Sequence, residues 1–132
     1  LSKQASAIAN KNLQQIPSAM ADAIIAAVDN LLAENYIEHF PVDVFQTGSG
    51  TSSNMNANEV LATLATNILG SPVSANDHVN YGQSSNDVIP SAIHISAALE
   101  VNNKLLPALE YLQKAIVNKA EEVEIYVKSY LP

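Results

Sequence analysis

Residues 17–32 read PSAMADAIIAAVDNLL, and this stretch decides the fold class. Its apolar residues recur at intervals of three and four, which places them on one face of an α-helix of about 16 residues. The proline–serine pair marks the start, because a serine hydroxyl at position 18 can accept hydrogen bonds from the amides of the next turn. The helix is expected to end before Pro41, whose ring cannot continue it. The apolar stripe consists of Ile24, Ile25, Val28, Leu31 and Leu32.

Helical patterns also flank this segment. Residues 1–16 form a polar helical pattern, and residues 56–69 form an apolar one that Gly70 and Pro72 are expected to stop. Residues 42–45 are the single candidate for a β-strand, and they are short. The sequence therefore predicts an all-α protein.

The remainder of the chain is predicted to be helical almost to its end. Pro90 is expected in the first turn of this region, where the missing N–H of a proline is tolerated. A kink is expected near Pro107, because a proline removes one hydrogen bond from a helix interior.

The composition excludes several classes of protein. Cysteine is absent, which excludes disulfide frameworks, Cys-based metal sites and thiol catalysis. The net charge is −7 and the six basic residues are scattered singly, which argues against a nucleic-acid partner. No apolar run reaches the ~18–20 residues of a membrane span, and no signal-peptide pattern is present, so we expect a cytoplasmic protein. Charged residues make up only 14% of the chain, which suggests that a partner covers part of its surface.

Two polar stretches, residues 46–54 and residues 71–87, interrupt the helical pattern. Both are predicted to be loops that place hydroxyl and amide side chains before a helix, where free amides and the helix dipole favour an anion. The glycines on either side of Ser49 allow a ligand to approach the backbone closely. Such donors can stabilise a carboxylate that gains charge during a reaction. The same residue types are also common in turns and caps, so composition leaves both interpretations open.

The ionisable residues near these stretches favour structural roles. His39 lies at a helix end, and His94 has no second His or carboxylate at metal-binding spacing. Structural roles are favoured for both, and no metal site is predicted. His78 follows an aspartate in a polar loop and could orient a ring or bind an anion, although a structural role is favoured. Glu59 and Asp87 are expected to open helices, where acids complement the helix dipole.

The order of residues in the two stretches resembles the signature tracts of class II fumarases, within the fumarase/aspartase superfamily. Residues 46–60 read QTGSGTSSNMNANEV and resemble the first tract. Residues 76–80, NDHVN, and residues 83–87, QSSND, resemble the second. The triplets Gly-Ser-Gly and Ser-Ser-Asn favour fumarase over aspartase, whose loops tend to contain Gly-Ala-Gly and Ser-Thr-Asn.

The resemblance implies reversible hydration of fumarate to L-malate, a step of the tricarboxylic acid cycle, without a metal or cofactor. It implies a homotetramer whose long helices form a central bundle. Residues 1–83 would then form the N-terminal lyase domain with the first substrate loop, and residues 84–132 the truncated start of the bundle. The residues assigned to substrate binding are Ser49, Gly50 and Thr51, together with Ser84, Ser85 and Asn86, which would contribute from another subunit.

The chain departs from the family pattern in two places. Asn76 and Asp77 match a secondary carboxylate-binding loop, but Ser74 stands where many members have a histidine. The Gly-Arg-Thr-His tract of the family does not follow residues 127–128, and the later loop with its proposed serine base and lysine also lies outside this chain. A hydratase needs a base and an acid. We therefore expect no catalytic residue here, and an N-terminal fragment that is inactive alone.

Two alternatives remain from the sequence. One is an aspartase-type ammonia-lyase of the same superfamily. The other is a non-catalytic helical module that assembles through an apolar stripe larger than a lone helix should expose. This stripe consists of Leu105, Leu109, Leu112 and Ile116.

Overall fold

The computed structural model describes residues 1–34, 36–43, 45 and 50–126, and within them every regular element is helical. A 3-10 turn occurs at Tyr36–His39, and π-helical turns occur at Ala75–Val79 and Val101–Leu105. No strand is present in these residues, so the all-α prediction is confirmed. The α-helices are α1 (Ser2–Asn12), α2 (Ser18–Ala33), α3 (Thr51–Leu69), α4 (Ser85–Glu100) and α5 (Leu106–Val123).

The chain divides into two compact units, Leu1–Ala92 and Ile93–Pro132. The division falls inside α4, whereas the resemblance predicts a domain boundary between residues 83 and 84, which stays a prediction. The two units differ in burial. All buried residues of the described chain lie in the first unit, and in the second unit no described residue is buried.

The core of the first unit is built around α2, which packs against α1 and α3. Ile24 is completely buried, and much of the remaining core is alanine, whose small side chain allows helix backbones to approach closely. The core residues are Ala7, Ile16, Ala21, Ala23, Ile24, Ala27, Val28, Leu31, Leu61, Ala62, Ala65, Val73, Ala75 and Val79.

The start of α2 differs from the prediction by one residue. Pro17 occupies the N-cap position and Ser18 is the first helical residue, without a capping bond from a side chain. The predicted serine cap is therefore wrong, although α2 ends at Ala33, before Pro41 as expected. The apolar stripe is also narrower than predicted, because Leu32 remains 48% exposed.

The position at which α3 starts differs more from the prediction. The predicted loop extends to residue 54, but α3 begins at Thr51, and the N–H of Asn54 donates to the carbonyl of Gly50 at 3.0 Å. Glu59 consequently lies in the middle of the helix rather than at its start. The end of α3 is as predicted, because Gly70 adopts a left-handed conformation and its N–H donates to the carbonyl of Thr66 at 2.9 Å.

Three further local predictions can be compared with the structure. The predicted strand at residues 42–45 is wrong for the residues that the structure describes, which are 42, 43 and 45. The N–H of Phe45 donates to Asp43 Oδ1 at 2.7 Å in a turn. Pro90 is the sixth residue of α4 rather than a first-turn residue, because the helix begins at Ser85. The irregularity expected near Pro107 is the π-helical turn at Val101–Leu105, and Pro107 lies in the first turn of α5.

Candidate active site

The described residues among those assigned to substrate binding lie at two helix N-termini in the first unit. α3 begins directly after Gly50, and α4 begins at Ser85. The first turn of a helix presents backbone N–H groups beyond its own hydrogen-bond ladder, together with partial positive charge. Thr51, Ser84 and Asn86 are exposed at these termini. Ser49 lies outside the described residues.

A direct hydrogen bond joins the two N-terminal regions. Asn54, one turn into α3, donates from Nδ2 to Ser85 Oγ at 2.9 Å. A single chain therefore brings both predicted tracts together. The expectation that residues 84–86 contribute to the site of another subunit stays a prediction.

Gly50 is required where α3 approaches α4. Its φ of +67° lies in the left-handed region, and a Cβ atom added to it would lie 2.8 Å from Ile89 Cγ2. A side chain here would be strained by its backbone and would also overlap its neighbour. The two helix starts are consequently in close contact at this glycine.

Residues 84–86 also have a local structural role. Ser84 Oγ accepts from the N–H of Asn86 at 3.3 Å, and the carbonyl of Ser84 accepts from the N–H groups of Asp87 at 3.1 Å and Val88 at 2.9 Å. Ser84 is thus the N-cap of α4, with Asp87 in the first turn as predicted. Pro90 has no N–H to donate to the carbonyl of Asn86 four residues earlier, so that carbonyl lacks its usual helical donor.

A buried polar cluster, formed by Lys3, Asn54, Asn80 and Gln83, adjoins the start of α4. Lys3 of α1 is only 8% exposed, and its Nζ donates to Asn80 Oδ1 at 2.9 Å and to Gln83 Oε1 at 2.8 Å. Asn54 Nδ2 also reaches Asn80 Oδ1, at 3.4 Å. Burial lowers the pKa of Lys3 from 10.5 to about 8, because the charged ammonium is poorly solvated.

Three asparagine side chains of α3 have buried oxygen atoms. Among the described residues, no hydrogen-bond donor reaches the Oδ1 atoms of Asn54, Asn56 and Asn58. Asn58 is fully buried, and its Nδ2 lies 3.9 Å from Met55 Sδ. Buried acceptors without donors are costly, so the inner face of α3 is more polar than packing alone would favour.

The predicted secondary site lies along the turn Ala75–Val79. Ser74 Oγ accepts from the N–H of Asp77 at 3.1 Å and is 2.9 Å from the Asp77 carboxylate. The N–H of Ser74 donates to His78 Nδ1 at 2.8 Å, which gives His78 a structural role.

A cavity of about 400 Å³ adjoins this turn, between it and α3. Its lining includes Ser74, Asn76 and the carboxylate residue Glu59, and no lysine. A carboxylate at this position would repel an anion. Secondary carboxylate binding by Asn76 and Asp77 stays a prediction.

The other two histidines lie at the surface of the described chain. His39 ends the 3-10 turn and is exposed, and His94 is exposed on α4. Within the described ranges, no group of three or more His, Asp or Glu side chains is placed to hold a metal ion. None of the described helices combines the length and apolarity needed to cross a membrane.

Sequence reasoning missed the buried cluster of Lys3, Asn54, Asn80 and Gln83. A partial signal exists, because Lys3 and Ala7 are four residues apart and share one face of α1, and both are buried. The partners of Lys3 lie 77 and 80 residues away in the sequence, so no local pattern reveals them.

Comparison with known proteins places this site in a family. A family model described as "Lyase" matches residues 1–129. The chain is 62% identical over 129 residues to fumarate hydratase class II 2 of Pseudomonas aeruginosa, covering 98% of this chain and 28% of that protein. It is 54% identical over 127 residues to fumarate hydratase class II of Xylella fastidiosa, covering 96% of this chain and 27% of that protein. The chain thus spans less than a third of the length of these relatives.

Solved structures agree with the sequence matches. A recombinant class II fumarase from Schistosoma mansoni superposes with a TM-score of 0.86 at 41% identity, covering 92% of this chain and 26% of that one. A fumarate lyase:delta crystallin from Brucella melitensis gives a TM-score of 0.85 at 43% identity, covering 94% and 30%. The resemblance to class II fumarases is therefore confirmed, and the chain belongs to this lyase family.

Proposed function

We propose that this chain supplies the substrate-binding helix starts of a fumarate hydratase, which adds water reversibly to fumarate to give L-malate. The observation that supports this most strongly is the 62% identity to a class II fumarate hydratase along 98% of the chain. The substrate would be a small dicarboxylate, and the proposed contacts are Ser49, Gly50, Thr51, Ser84, Ser85 and Asn86.

The geometry supports binding of a carboxylate by neutral donors. The N-terminal regions of α3 and α4 are joined through the hydrogen bond between Asn54 and Ser85, so their dipoles and amides act on one region. Hydroxyl and amide donors fixed before the reaction stabilise charge that develops on a carboxylate without transferring a proton to it. Proton transfer then requires residues other than these, so we expect the 132-residue chain alone to be inactive.

We extend the proposal to assembly and location. The resemblance supports a cytoplasmic homotetramer whose reaction serves the tricarboxylic acid cycle. The apolar stripe that begins at Leu105 and continues along α5 supports assembly, because Leu105, Leu109, Leu112 and Ile116 are each at least half exposed in the single chain. This stripe also unites the enzyme and the helical-module interpretations, since one surface can serve both.

A chimera tests the activity. This chain replaces the matching 129 residues of the Pseudomonas aeruginosa relative, and hydration of fumarate is measured by the formation of L-malate. The chimera is expected to be active, and Thr51→Val is expected to lower kcat/KM by roughly 100-fold if the hydroxyl stabilises the transition state.

Thr63→Val is the matched control. Thr63 is exposed on the same helix, and its hydroxyl donates to the carbonyl of Glu59 at 2.9 Å. It should leave kcat/KM within about twofold of the parent, because Thr63 lies about three turns from the start of α3 that is proposed to bind substrate. A folded chimera that releases ammonia from aspartate instead of hydrating fumarate would favour the ammonia-lyase alternative, and equal rates for the two threonine variants would return Thr51 to a turn-forming role.

A further inference from the structure

Among the residues that the structure describes, no carboxylate pairs with the ammonium group of the buried Lys3. Its two hydrogen-bond acceptors, Asn80 Oδ1 and Gln83 Oε1, are neutral amide oxygens. Lys3 also helps to line an apolar cavity of about 340 Å³, together with Val28, Leu31 and Leu61. An apolar side chain would fill such a place at lower cost, because a buried charge is expensive unless its surroundings compensate it.

The other lysine of the first unit shows the usual arrangement. Lys11 lies two turns further along α1 and forms an ion pair with Asp22 at 2.5 Å, at the surface. Residues 1–92 contain no arginine and no third lysine. The two lysines of this unit therefore differ, because the ammonium group of Lys3 faces amide oxygens and that of Lys11 faces a carboxylate.

Hydrogen bonds connect Lys3 to the residues proposed to bind substrate. Asn80 Oδ1 accepts from Lys3 at 2.9 Å and from Asn54 Nδ2 at 3.4 Å, and Asn54 Nδ2 donates to Ser85 Oγ at 2.9 Å. The ammonium group thus fixes which atom of the Asn80 amide faces the core, since a lysine can only donate.

A second set of hydrogen bonds joins Lys3 to residues 79–83 through Gln83. Gln83 Oε1 faces Lys3, and its Nε2 donates to the carbonyl of Val79 at 2.8 Å. Asn80 Nδ2 donates to the carbonyl of Gln83 at 3.3 Å. Residues 79–83 are therefore held in one arrangement from within, directly before Ser84.

We propose that Lys3 is a positioning residue, which holds Asn80 and Gln83 and through them sets the place of residues 84–86 for a bound dicarboxylate. The dicarboxylate part of this statement rests on the proposed function. The positioning part rests on the hydrogen bonds alone, and the two parts are tested separately.

The first test uses the 132-residue chain and amide hydrogen exchange. The amides of Asp87 and Val88 donate to the carbonyl of Ser84, so their exchange reports how well residues 84–86 are held. Lys3→Met keeps the apolar stem and removes the donors. It is expected to speed exchange at these two amides roughly 10-fold, as for the loss of a hydrogen bond to a charged group.

Two variants give this test its controls. Lys3→Arg keeps a charged donor and is expected to exchange more slowly than Lys3→Met. Lys11→Met removes the surface lysine of the same helix and is expected to leave both amides unchanged. Equal exchange in the parent, Lys3→Met and Lys3→Arg would show that only the stem of Lys3 matters and would overturn the proposal.

A second variant guards against loss of folding in Lys3→Met. Asn80→Ala cuts the connection between Lys3 and Ser85 and leaves the lysine in place. The same roughly 10-fold faster exchange is expected. Unchanged exchange at Asp87 and Val88 in this variant would also overturn the proposal.

Kinetics of the chimera test the link to substrate. Lys3→Met is expected to raise KM for fumarate roughly 10-fold with a smaller change in kcat, because it disturbs binding more than proton transfer. An unchanged KM would overturn the link. If the unsubstituted chimera does not hydrate fumarate, the proposed function fails, and amide exchange still decides the positioning role.

Discussion

The two units of the chain differ in how far their apolar side chains are buried. In residues 1–92, α2 and α3 bury a core of small and branched residues, and even a lysine is taken inside. In residues 93–126, Leu and Ile side chains are half exposed along α5, and no residue is buried. The first unit has the core of an independent fold, whereas the second exposes the kind of surface that another helix normally covers. Three predictions test this difference.

The largest effect is expected on assembly through the second unit. Leu109→Glu is expected to convert an associated chain to a monomer. In a symmetric pair, burial of each half-exposed leucine contributes about 0.8–1.5 kcal/mol, and burial of each unpaired carboxylate costs further free energy. The combined loss of about 3–6 kcal/mol corresponds to roughly 10²–10⁴-fold weaker association. Light scattering after size-exclusion chromatography measures the mass.

Tyr111→Glu is the matched control for this prediction. Tyr111 is 77% exposed on the same helix, lies outside the stripe of Leu105, Leu109, Leu112 and Ile116, and the substitution adds the same charge. It should leave the mass unchanged. A parent chain that is monomeric at all concentrations would contradict assembly through α5.

The contrast between the units also explains which parts of the structure the sequence could predict. The start of α2 was placed within one residue and the end of α3 at Gly70 was correct, because both depend on a local apolar pattern and a local glycine. The start of α3 was missed because Thr51 and the next three residues have weak helix preferences, and the contact of Asn54 with Ser85 is 31 residues away in sequence.

The candidate site shows the same limit. The order of residues in the two polar stretches was enough to identify the family. Burial of Lys3 was not predictable, because it depends on Asn80 and Gln83, which only the folded chain brings to α1. Local patterns thus predicted the elements, and long-range polar contacts determined how the site is held.

A smaller effect is expected where α3 approaches α4 in the first unit. Gly50→Ala should reduce the free energy of unfolding by about 3 kcal/mol, combining about 1 kcal/mol of left-handed strain with about 2 kcal/mol of overlap with Ile89. Urea unfolding followed by the amide signals of α2 and α3 isolates this unit, since the whole chain need not unfold in one step.

Gly70→Ala separates the two contributions. Gly70 has a similar φ of +72°, but an added Cβ would meet no atom of the described residues within 4 Å. The expected loss is therefore about 1 kcal/mol, from strain alone. Equal losses for the two glycines would mean that the side chain of Ile89 moves aside, and that α3 and α4 are held together less tightly at this point.

The smallest effect concerns the buried charge and depends on pH. Burial lowers the pKa of Lys3 to about 8 in the folded chain, against 10.5 as its ordinary value. Between these values the unfolded chain binds more protons than the folded chain, so the stability due to Lys3 rises with pH. Below pH 8 lysine is protonated in both states, and the contribution no longer changes. The free energy of unfolding cannot rise by more than about 1.4 kcal/mol per pH unit, because only one proton is involved.

The difference in unfolding free energy between the parent and Lys3→Met isolates this contribution. It should shift in favour of the parent from pH 8 to pH 9. Titratable groups of other elements that face α1 are the same in the parent and in Lys3→Met, so they cancel in this difference. They are Asp22, bound to Lys11, Asp29, bound to Gln4, and Tyr81, whose carbonyl accepts from Asn10. A constant difference across this window would mean that the ammonium group is well solvated, and the contrast between a buried lysine in one unit and exposed leucines in the other would lose its strongest example.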